Sequence, residues 1–339
     1  MTAPIPVATT KYTYIYMGIR GLAGYLKWKT PSARKNIVWS AYAGQRWAID
    51  CSCLLYRAKA ASLSPITVIA GLVVRMRAAG VTPVIVFDGR TPAAKAETVE
   101  ARRAVRETAH REIAEIRTEL SIATTLTEAE RADREIRAQT LQARAPHVSS
   151  RDRDDIKKFL YAAGVLFITA TGEADDVIAY LARRGEVSAV ISTDMDMLAR
   201  GVPLLVIPET HDATVLTVMS LSAILTELRL TYRQFVDACV VMGTDYNVKG
   251  WRTQPPPVAI DMARRGIDWT MVDASGSVCA GLESSVASLA GDRVVWEEIM
   301  AEAQRDKWAA GAPPKEPENL LAFCEANRWP MDWMRVLLA

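Results

Sequence analysis

The chain has 339 residues, half of them hydrophobic and 24% charged, which is typical of a globular protein with a substantial buried core. Its formal net charge of +2 excludes a polybasic tail, whereas nucleic-acid binding stays open because that function depends on where the charges lie. There is no apolar run of the roughly 20 residues that span a membrane. There is also no charged-then-apolar secretory signal, and the five cysteines lack paired metal-ligand spacing, so we expect an intracellular protein with reduced thiols.

Strands and helices alternate along most of the chain. Residues 1–16 follow no clear period, which indicates a flexible extension or a start codon upstream of Met17. Apolar runs predict strands at 45–50, 81–88, 165–169, 187–191 and 204–207. Helical spacing predicts helices at 51–61, 65–79, 151–163, 173–184, 221–229 and 231–243, with another beginning at Val258. This alternation predicts an α/β fold with a mostly parallel central sheet flanked by helices.

A helical insertion interrupts this alternation after the second strand. Residues 95–120 are rich in Ala, Glu and Arg, and Thr127 with Glu130 has the pattern of a capping box for a second helix ending near Ala145. Apolar residues are sparse on both helices, so we expect them to project from the domain, although a solvated charge-paired face is an alternative. We therefore divide the chain into the extension 1–16, an N-terminal region 17–91, a helical cap 92–150, an internal region 151–246 and a helical C-terminal region 247–339.

Carboxylates stand at the ends of many predicted elements. The stretch VSAVISTDMD is a buried strand that ends in two of them, and i, i+2 residues of an extended segment project to the same side. The carboxyl ends of parallel strands share one edge of a sheet, where open α/β folds place their ligands. The set consists of Asp50, Asp88, Glu173, Asp175, Asp194, Asp196 and Asp245.

Such a set predicts a metal centre. Clustered carboxylates repel one another unless they are protonated or bind cations. Oxygen ligands select Mg²⁺- or Mn²⁺-type ions, while the three scattered histidines argue against a zinc site. Seven acids exceed what one hydrated octahedral ion uses, so we expect two ions roughly 4 Å apart, which suits attack of water on a phosphodiester.

A cationic stripe lies beside this predicted centre. Lys95, Arg102 and Arg106 are spaced i, i+7 and i+11 on the first helix of the insertion, so they share one face. A stripe of this kind suits a phosphate-bearing polymer and can stabilise a phosphoryl transition state.

Six motifs in order resemble the flap endonuclease/XPG family of structure-specific 5′ nucleases. They are MGIRGLAGYL, AIDCSCLLY, VIVFDGRTPAAK, GEADDVIAYLA, ISTDMDML and VMGTDYN, and they cover residues 17 to about 247. The resemblance implies a PIN-like 5′ nuclease fold with a helical arch at 92–150. It also implies that the seven acids hold two Mg²⁺ or Mn²⁺ ions.

The resemblance assigns further roles to single residues. Lys95 and Arg102 match basic residues at the base of the arch that contact the scissile phosphate, and Tyr56 matches an aromatic that stacks on a neighbouring base. Gly18 matches the glycine that follows the initiator methionine close to the active site. With the arginines of the same helix added, the predicted DNA-binding set is Gly18, Tyr56, Lys95, Arg102, Arg103 and Arg106.

The chain departs from the family pattern in several places. Asp175 replaces a usual glutamate, and 16 residues precede Met17. The segment GWRTQPPPVAIDMA stands where the family has a helix–two-turn–helix that grips duplex DNA through a monovalent cation, so Arg252 and the prolines at 247–262 predict an altered duplex grip. No sliding-clamp motif is evident at the end of the chain.

Three functional hypotheses follow. The first is a flap endonuclease-like enzyme that hydrolyses DNA near single-strand/double-strand junctions in replication, repair or recombination. It would bind DNA with 5′ flaps or junctions, act as a monomer and make no membrane contact. It would not be secreted and would reside in the nucleus or at sites of DNA replication. The second is a 5′ exonuclease or Holliday-junction resolvase of the same family. The third is a non-catalytic DNA-binding protein with the nuclease fold.

Overall fold

The computed structural model describes residues 18–91, 96–123, 125–244, 253–267 and 296–339. Within them, the strands are β1 (Arg34–Asn36), β2 (Arg46–Asp50), β3 (Thr82–Phe87), β4 (Leu166–Thr169), β5 (Ala189–Ile191), β6 (Leu204–Pro208) and β7 (Leu216–Ser220). They form one sheet in the order β1-β7-β6-β5-β2-β3-β4. The pairs from β6 through β4 are parallel, while β7 is antiparallel to β6 and β1. The mostly parallel sheet predicted from the sequence is confirmed.

Helices cover both faces of the sheet. Those that precede β6 are α1 (Leu22–Lys29), α2 (Cys51–Ala60), α3 (Pro65–Ala78), α4 (Ala96–Ile122), α5 (Glu128–Arg144), α6 (Ser150–Ala162), α7 (Ala174–Arg183) and α8 (Asp196–Ala199). The later ones are α9 (Leu221–Leu228), α10 (Tyr232–Met242), α11 (Pro256–Arg265), α12 (Trp296–Ile299), α13 (Glu302–Ala310), α14 (Pro317–Asn327) and α15 (Met331–Leu338). Two short 3₁₀ turns, Pro31–Ala33 and Trp39–Tyr42, precede β2.

Side-chain alternation along the strands produces two hydrophobic cores. On β2, Ala48 faces one core, whereas Trp47 and Ile49 face the other, and all three are fully buried. The first core packs under α1, α7, α9, α10 and α11, and the second under α2, α3, α6, α14 and α15. Both faces of the central strands are therefore buried, which explains why those strands are nearly continuous apolar runs.

Some elements were not predicted from the sequence. Helix α1 and the strands β1 and β7 lie in segments to which no regular structure was assigned, and β1 and β7 form the antiparallel end of the sheet. The sequence pattern predicts that a helix begins at Val258, after the prolines. The helix instead begins at Pro256, after Pro255, because proline is preorganised for the first helical turn.

The helical insertion forms an antiparallel hairpin of α4 and α5. The predicted capping box is confirmed, since the Thr127 hydroxyl accepts from the N–H of Glu130 while the Glu130 carboxylate accepts from the N–H of Thr127. A narrow stripe on α4 is buried, comprising Ala109, Ile113 and Ile116. Ion pairs such as Arg134–Glu119 (3.1 Å) and Arg137–Glu112 (3.4 Å) link the two helices outside this stripe. No helix in the described part of the chain is long and apolar enough to cross a bilayer.

Candidate active site

Two of the predicted acids lie side by side at the carboxyl edge of the sheet. Asp50 is the last residue of β2 and caps α2, because its carboxylate accepts from the N–H of Cys53 at 3.1 Å. Asp88 directly follows β3, which is the parallel neighbour of β2. The two carboxylates interact electrostatically, since the charge of Asp88 raises the pKa of Asp50. The prediction that strand ends converge at this edge is confirmed for this pair.

Ser192 joins Asp50 to the loop after β5. Its buried hydroxyl donates to Asp50 Oδ2 at 2.8 Å and accepts from the N–H of Asp194 at 3.1 Å. Asp194 Oδ1 in turn accepts from the N–H of Asp196 at 2.8 Å. The prediction that Asp194 and Asp196 extend the strand was wrong, because the strand ends at Ile191. Asp194 lies in the turn that follows, and Asp196 is the first residue of α8. We call residues 192–196 the acid turn. The turn forms because a short Asp side chain can bond the backbone two residues on.

Asp88 is bound by the N-terminus of α7. Asp88 Oδ1 accepts from the N–H of Ala174 at 2.8 Å, and Oδ2 accepts from the Ser52 hydroxyl at 2.5 Å. Glu173 is the N-cap residue of α7 and Asp175 lies in its first turn, so both stand beside Asp88 at a helix end that favours negative charge. The acids at Asp88, Glu173 and Asp175 are therefore neighbours at the same edge.

Backbone hydrogen bonds join the loops that carry these acids. The N–H of Gly89 donates to the carbonyl of Gly172 at 2.7 Å, and the N–H of Arg90 donates to Thr171 at 2.9 Å. A Cβ atom at Gly89 would lie 2.1 Å from the carbonyl oxygen of Ala170, so only glycine permits this approach. The loop after β3 is thus fixed against the loop that enters α7.

A buried arginine neutralises part of the acid cluster. Arg200 is 1% exposed and forms an ion pair with Asp176, and its Nη2 lies 3.8 Å from Glu173 Oε2. Sequence reasoning missed Arg200 and Asp176, together with Ser52 and Ser192. An arginine that follows a short helix ordinarily indicates a solvated surface, and no local pattern signals that this one is buried.

The electrostatics of the site favour bound cations. Burial and then the charge of Asp88 raise the pKa of Asp50 from an ordinary value of 3.8 to about 7. Burial and then the charges of Asp50 and Asp88 raise the pKa of the Cys51 thiol, and burial and then the charge of Asp50 raise the pKa of the Cys53 thiol. Those cysteines are therefore neutral, and a cation near Asp50 would replace its proton.

The side chains at this edge of the sheet have the chemistry of metal ligands. The side chains are carboxylates with neighbouring hydroxyls, which suit hard divalent ions. Gly18, at φ +101°, packs its backbone against the acid turn, and a Cβ there would lie 2.2 Å from Asp194 Oδ1 and 3.0 Å from Asp196 Oδ1. Within the described residues, no three His, Cys, Asp or Glu side chains are arranged to hold one ion. The predicted seventh ligand, Asp245, lies outside those residues, so the ligand set stays a prediction.

The structure describes some of the predicted DNA-binding residues but not all of them. Gly18 lies at the acid turn, as the resemblance implied, and half-buried Tyr56 on α2 packs against the second core. Arg106 is half-buried on α4, whereas exposed Arg103 pairs with Glu107 at 2.8 Å. Lys95 and the side chain of Arg102 lie outside the described part of the structure. Their roles at the phosphate stay predictions.

Two protein-family models match the sequence of this chain. The XPG N-terminal domain matches residues 17–109 and the XPG I-region matches residues 164–245, which together cover more than half of the chain. The chain belongs to the XPG family. Its two matched regions contain β2, β3, α7 and the acid turn, so the predicted family is confirmed.

Individual relatives agree with this assignment. Flap endonuclease 1-A of Sorghum bicolor is 32% identical over 255 residues, which are 69% of this chain and 63% of that protein. Flap endonuclease 1 of Bos taurus is 30% identical over 266 residues, which are 74% of this chain and 66% of that protein. The chain thus spans less than two thirds of the length of these curated relatives.

Solved structures share the fold. Flap endonuclease-1 from Methanococcus jannaschii superposes with a TM-score of 0.60 at 19% identity, covering 90% of this chain and 95% of that chain. The catalytic core of Rad2 in complex with DNA substrate has a TM-score of 0.60 at 17% identity, covering 95% and 99%. Human GEN1 in complex with Holliday junction DNA has a TM-score of 0.58 at 14% identity, covering 94% and 77%. The predicted PIN-like nuclease fold is confirmed.

Proposed function

We propose that this protein is a divalent-metal-dependent nuclease that hydrolyses DNA phosphodiesters beside single-strand/double-strand junctions, as a 5′ flap endonuclease does. The observation that carries the proposal is the set of hydrogen-bonded acids at the carboxyl edge of the sheet. We call this set the acid edge, and its described members are Asp50, Asp88, Glu173, Asp175, Asp194 and Asp196. Ser192 connects Asp50 to the Asp194 turn, and Asp88 bonds the N-terminus of α7. Membership of the XPG family supports DNA as the substrate.

We expect this edge of the sheet to bind metal ions. Asp50, Asp88, Glu173, Asp175, Asp194, Asp196 and Asp245 would hold two Mg²⁺ or Mn²⁺ ions. Bound ions would activate a water and stabilise charge on the phosphodiester. Arg200 positions Glu173 and Asp176 at the start of α7, and the Ser192 hydroxyl fixes the orientation of the Asp50 carboxylate. Lys95 and Arg102 would contact the scissile phosphate.

Cleavage of a labelled 5′-flap DNA with Mg²⁺ or Mn²⁺ tests the proposal. Asp194→Ala should slow cleavage by orders of magnitude and leave DNA binding largely intact, because a metal ligand acts on the chemical step. Asp332→Ala is the matched control, since that carboxylate is 84% exposed and lies on α15. No cleavage by the wild-type protein with either ion, or full cleavage by Asp194→Ala, would refute a metal nuclease. Tight flap binding without turnover would instead favour a non-catalytic DNA-binding protein.

A 5′ exonuclease or a Holliday-junction resolvase is the second candidate. The observation that favours it is the altered segment 247–262, in which Arg252 and three prolines replace the usual duplex-gripping sequence. Its C-terminal part is ordinary helix from Pro256, with Pro255 as the N-cap. A panel of flap, nicked, bubble and four-way-junction DNA with mapped cut sites separates these activities.

The same function leads us to propose a monomeric protein located in the nucleus. The described part of a single chain supplies six of the seven predicted acids, and genomic DNA is the proposed substrate. Light scattering of the purified protein tests the oligomeric state, and imaging of a fluorescently tagged protein against stained DNA tests the location.

A further inference from the structure

Two lysines from distant parts of the chain lie over adjacent aromatic rings. Lys307 on α13 has its Nζ 3.2 Å from the ring centre of Phe167, and Lys157 on α6 has its Nζ 4.9 Å from the ring centre of Phe87. The two rings pack edge to face with their centres 5.9 Å apart, across the β3–β4 pair. Both ammonium groups are therefore held at one place on the surface of the second core.

Neither charge is neutralised within the described residues. Ring faces attract an ammonium group but do not cancel its charge, and neither Lys157 nor Lys307 forms an ion pair with a carboxylate of the described chain. Lys158, the next residue on α6, shows the ordinary alternative, since it pairs with Asp155 at 3.7 Å. Burial and then the charge of Lys157 lower the pKa of Lys307 to about 8. An anion bound between the two lysines would relieve that repulsion.

The lysine pair lies next to the acid edge. Phe87, the ring under Lys157, directly precedes Asp88. The charge of Lys157 also opposes the effect of Asp50 and Asp88 on the pKa of the Cys51 thiol, so all three act on the same part of the molecule. Helix α6 begins six residues after α5 ends, at the base of the helical hairpin. The pair is therefore adjacent to the strand end that carries Asp88.

We infer that Lys157 and Lys307 form a second phosphate-binding site, which holds a backbone phosphate of the DNA one or more nucleotides away from the acid edge. The inference rests on the proposed function for its choice of DNA. A phosphodiester is the fitting ligand because it carries a permanent negative charge and several acceptor oxygens, which two converging ammonium groups can share. The site would hold the strand in register while the acids and their ions act on a neighbouring phosphate.

Salt-dependent DNA binding by the full chain tests the inference. Binding is measured by fluorescence anisotropy in Ca²⁺, with a 5′-flap DNA and with the same duplex lacking the single-stranded arm. Lys157→Gln/Lys307→Gln should weaken binding about tenfold at 0.1 M salt and lower the slope of log Kd against log salt by about one, as expected for one lost phosphate contact. Lys157→Arg/Lys307→Arg should restore both values, and Lys158→Gln is the matched control.

The outcomes separate this inference from the proposed function. A loss seen only with the arm assigns the phosphate to the single strand, and a loss with both DNAs assigns it to the duplex. Affinity and slope equal to those of Lys158→Gln, in variants that keep the wild-type Tm, would overturn the site while leaving the nuclease proposal intact.

If the wild-type protein binds no DNA, inorganic phosphate becomes the probe. The pKa of Lys307 is then followed by NMR of ¹³C-methylated lysines with and without phosphate. A phosphate-induced rise that Lys157→Gln abolishes would support the anion site although the nuclease proposal fails, and no rise would overturn the site.

Discussion

Replacing Asp50 with asparagine should stabilise the metal-free protein in a pH-dependent way. Burial and the neighbouring Asp88 disfavour the ionised carboxylate, so the folded protein holds a proton on Asp50 up to about pH 7, whereas the unfolded chain releases it near 3.8. Between these two values the folded state binds more protons than the unfolded state. The stability of the wild type therefore falls as the pH rises through this window, and the penalty is complete above pH 7.

The magnitude follows from the size of the pKa shift. A rise from 3.8 to about 7 corresponds to about 4 kcal/mol of lost stability at pH 8 relative to pH 4, at 1.36 kcal/mol per pH unit. An amide at this position cannot ionise and avoids that loss. The amide also changes the hydrogen bond with the Ser192 hydroxyl, which shifts the unfolding free energy by the same amount at every pH. The test is therefore how the unfolding free energy changes with pH.

Urea denaturation in EDTA at pH 4 to 8 measures this slope. The difference in unfolding free energy between Asp50→Asn and wild type should grow by about 4 kcal/mol across the range, whereas Asp332→Asn, an exposed control, should show no such trend. Mg²⁺ should stabilise the wild type above pH 7 and stabilise Asp50→Asn far less. Parallel stability curves for Asp50→Asn and wild type would refute the account of a buried, charge-coupled carboxyl.

Two further substitutions probe residues around the acid edge. Arg200→Met should destabilise the fold by about 3–5 kcal/mol, because it leaves the Asp176 carboxylate without its buried cation, while Arg265→Met removes an exposed i, i+4 pair and should change stability by less than about 0.5 kcal/mol in the same urea assay. Equal losses in both variants would contradict this view of Arg200. Gly18→Ala should lower flap cleavage about 100-fold through displacement of the acid turn, whereas Gly44→Ala, also at positive φ but with no atom within 4 Å of the added Cβ, should suffer only backbone strain. Cleavage by Gly18→Ala that matches Gly44→Ala would show that the close contact is unimportant.

The elements that depend on local chemistry could be predicted from the amino-acid sequence. Buried parallel strands have nearly continuous apolar sequences. The ends of β2 and β3 could therefore be predicted from the sequence, together with the positions of Asp50 and Asp88 at those ends. The capping box at Thr127 and Glu130 was equally visible, because its two partners are three residues apart. The antiparallel strands β1 and β7 were missed, since short segments at the end of a sheet acquire their structure from pairing with distant partners.

The contacts that hold the acids, and the residues that surround them, could be seen only in the folded molecule. Ser192 reaches Asp50 across 142 positions of sequence, and Arg200 becomes a buried partner of α7 only when α8 packs beside it. Lys157 and Lys307 share one surface because α6 and α13 meet the edge of the same sheet. Hydrogen bonds and charge interactions depend on distance in space, and no periodicity along the chain encodes such long-range proximity.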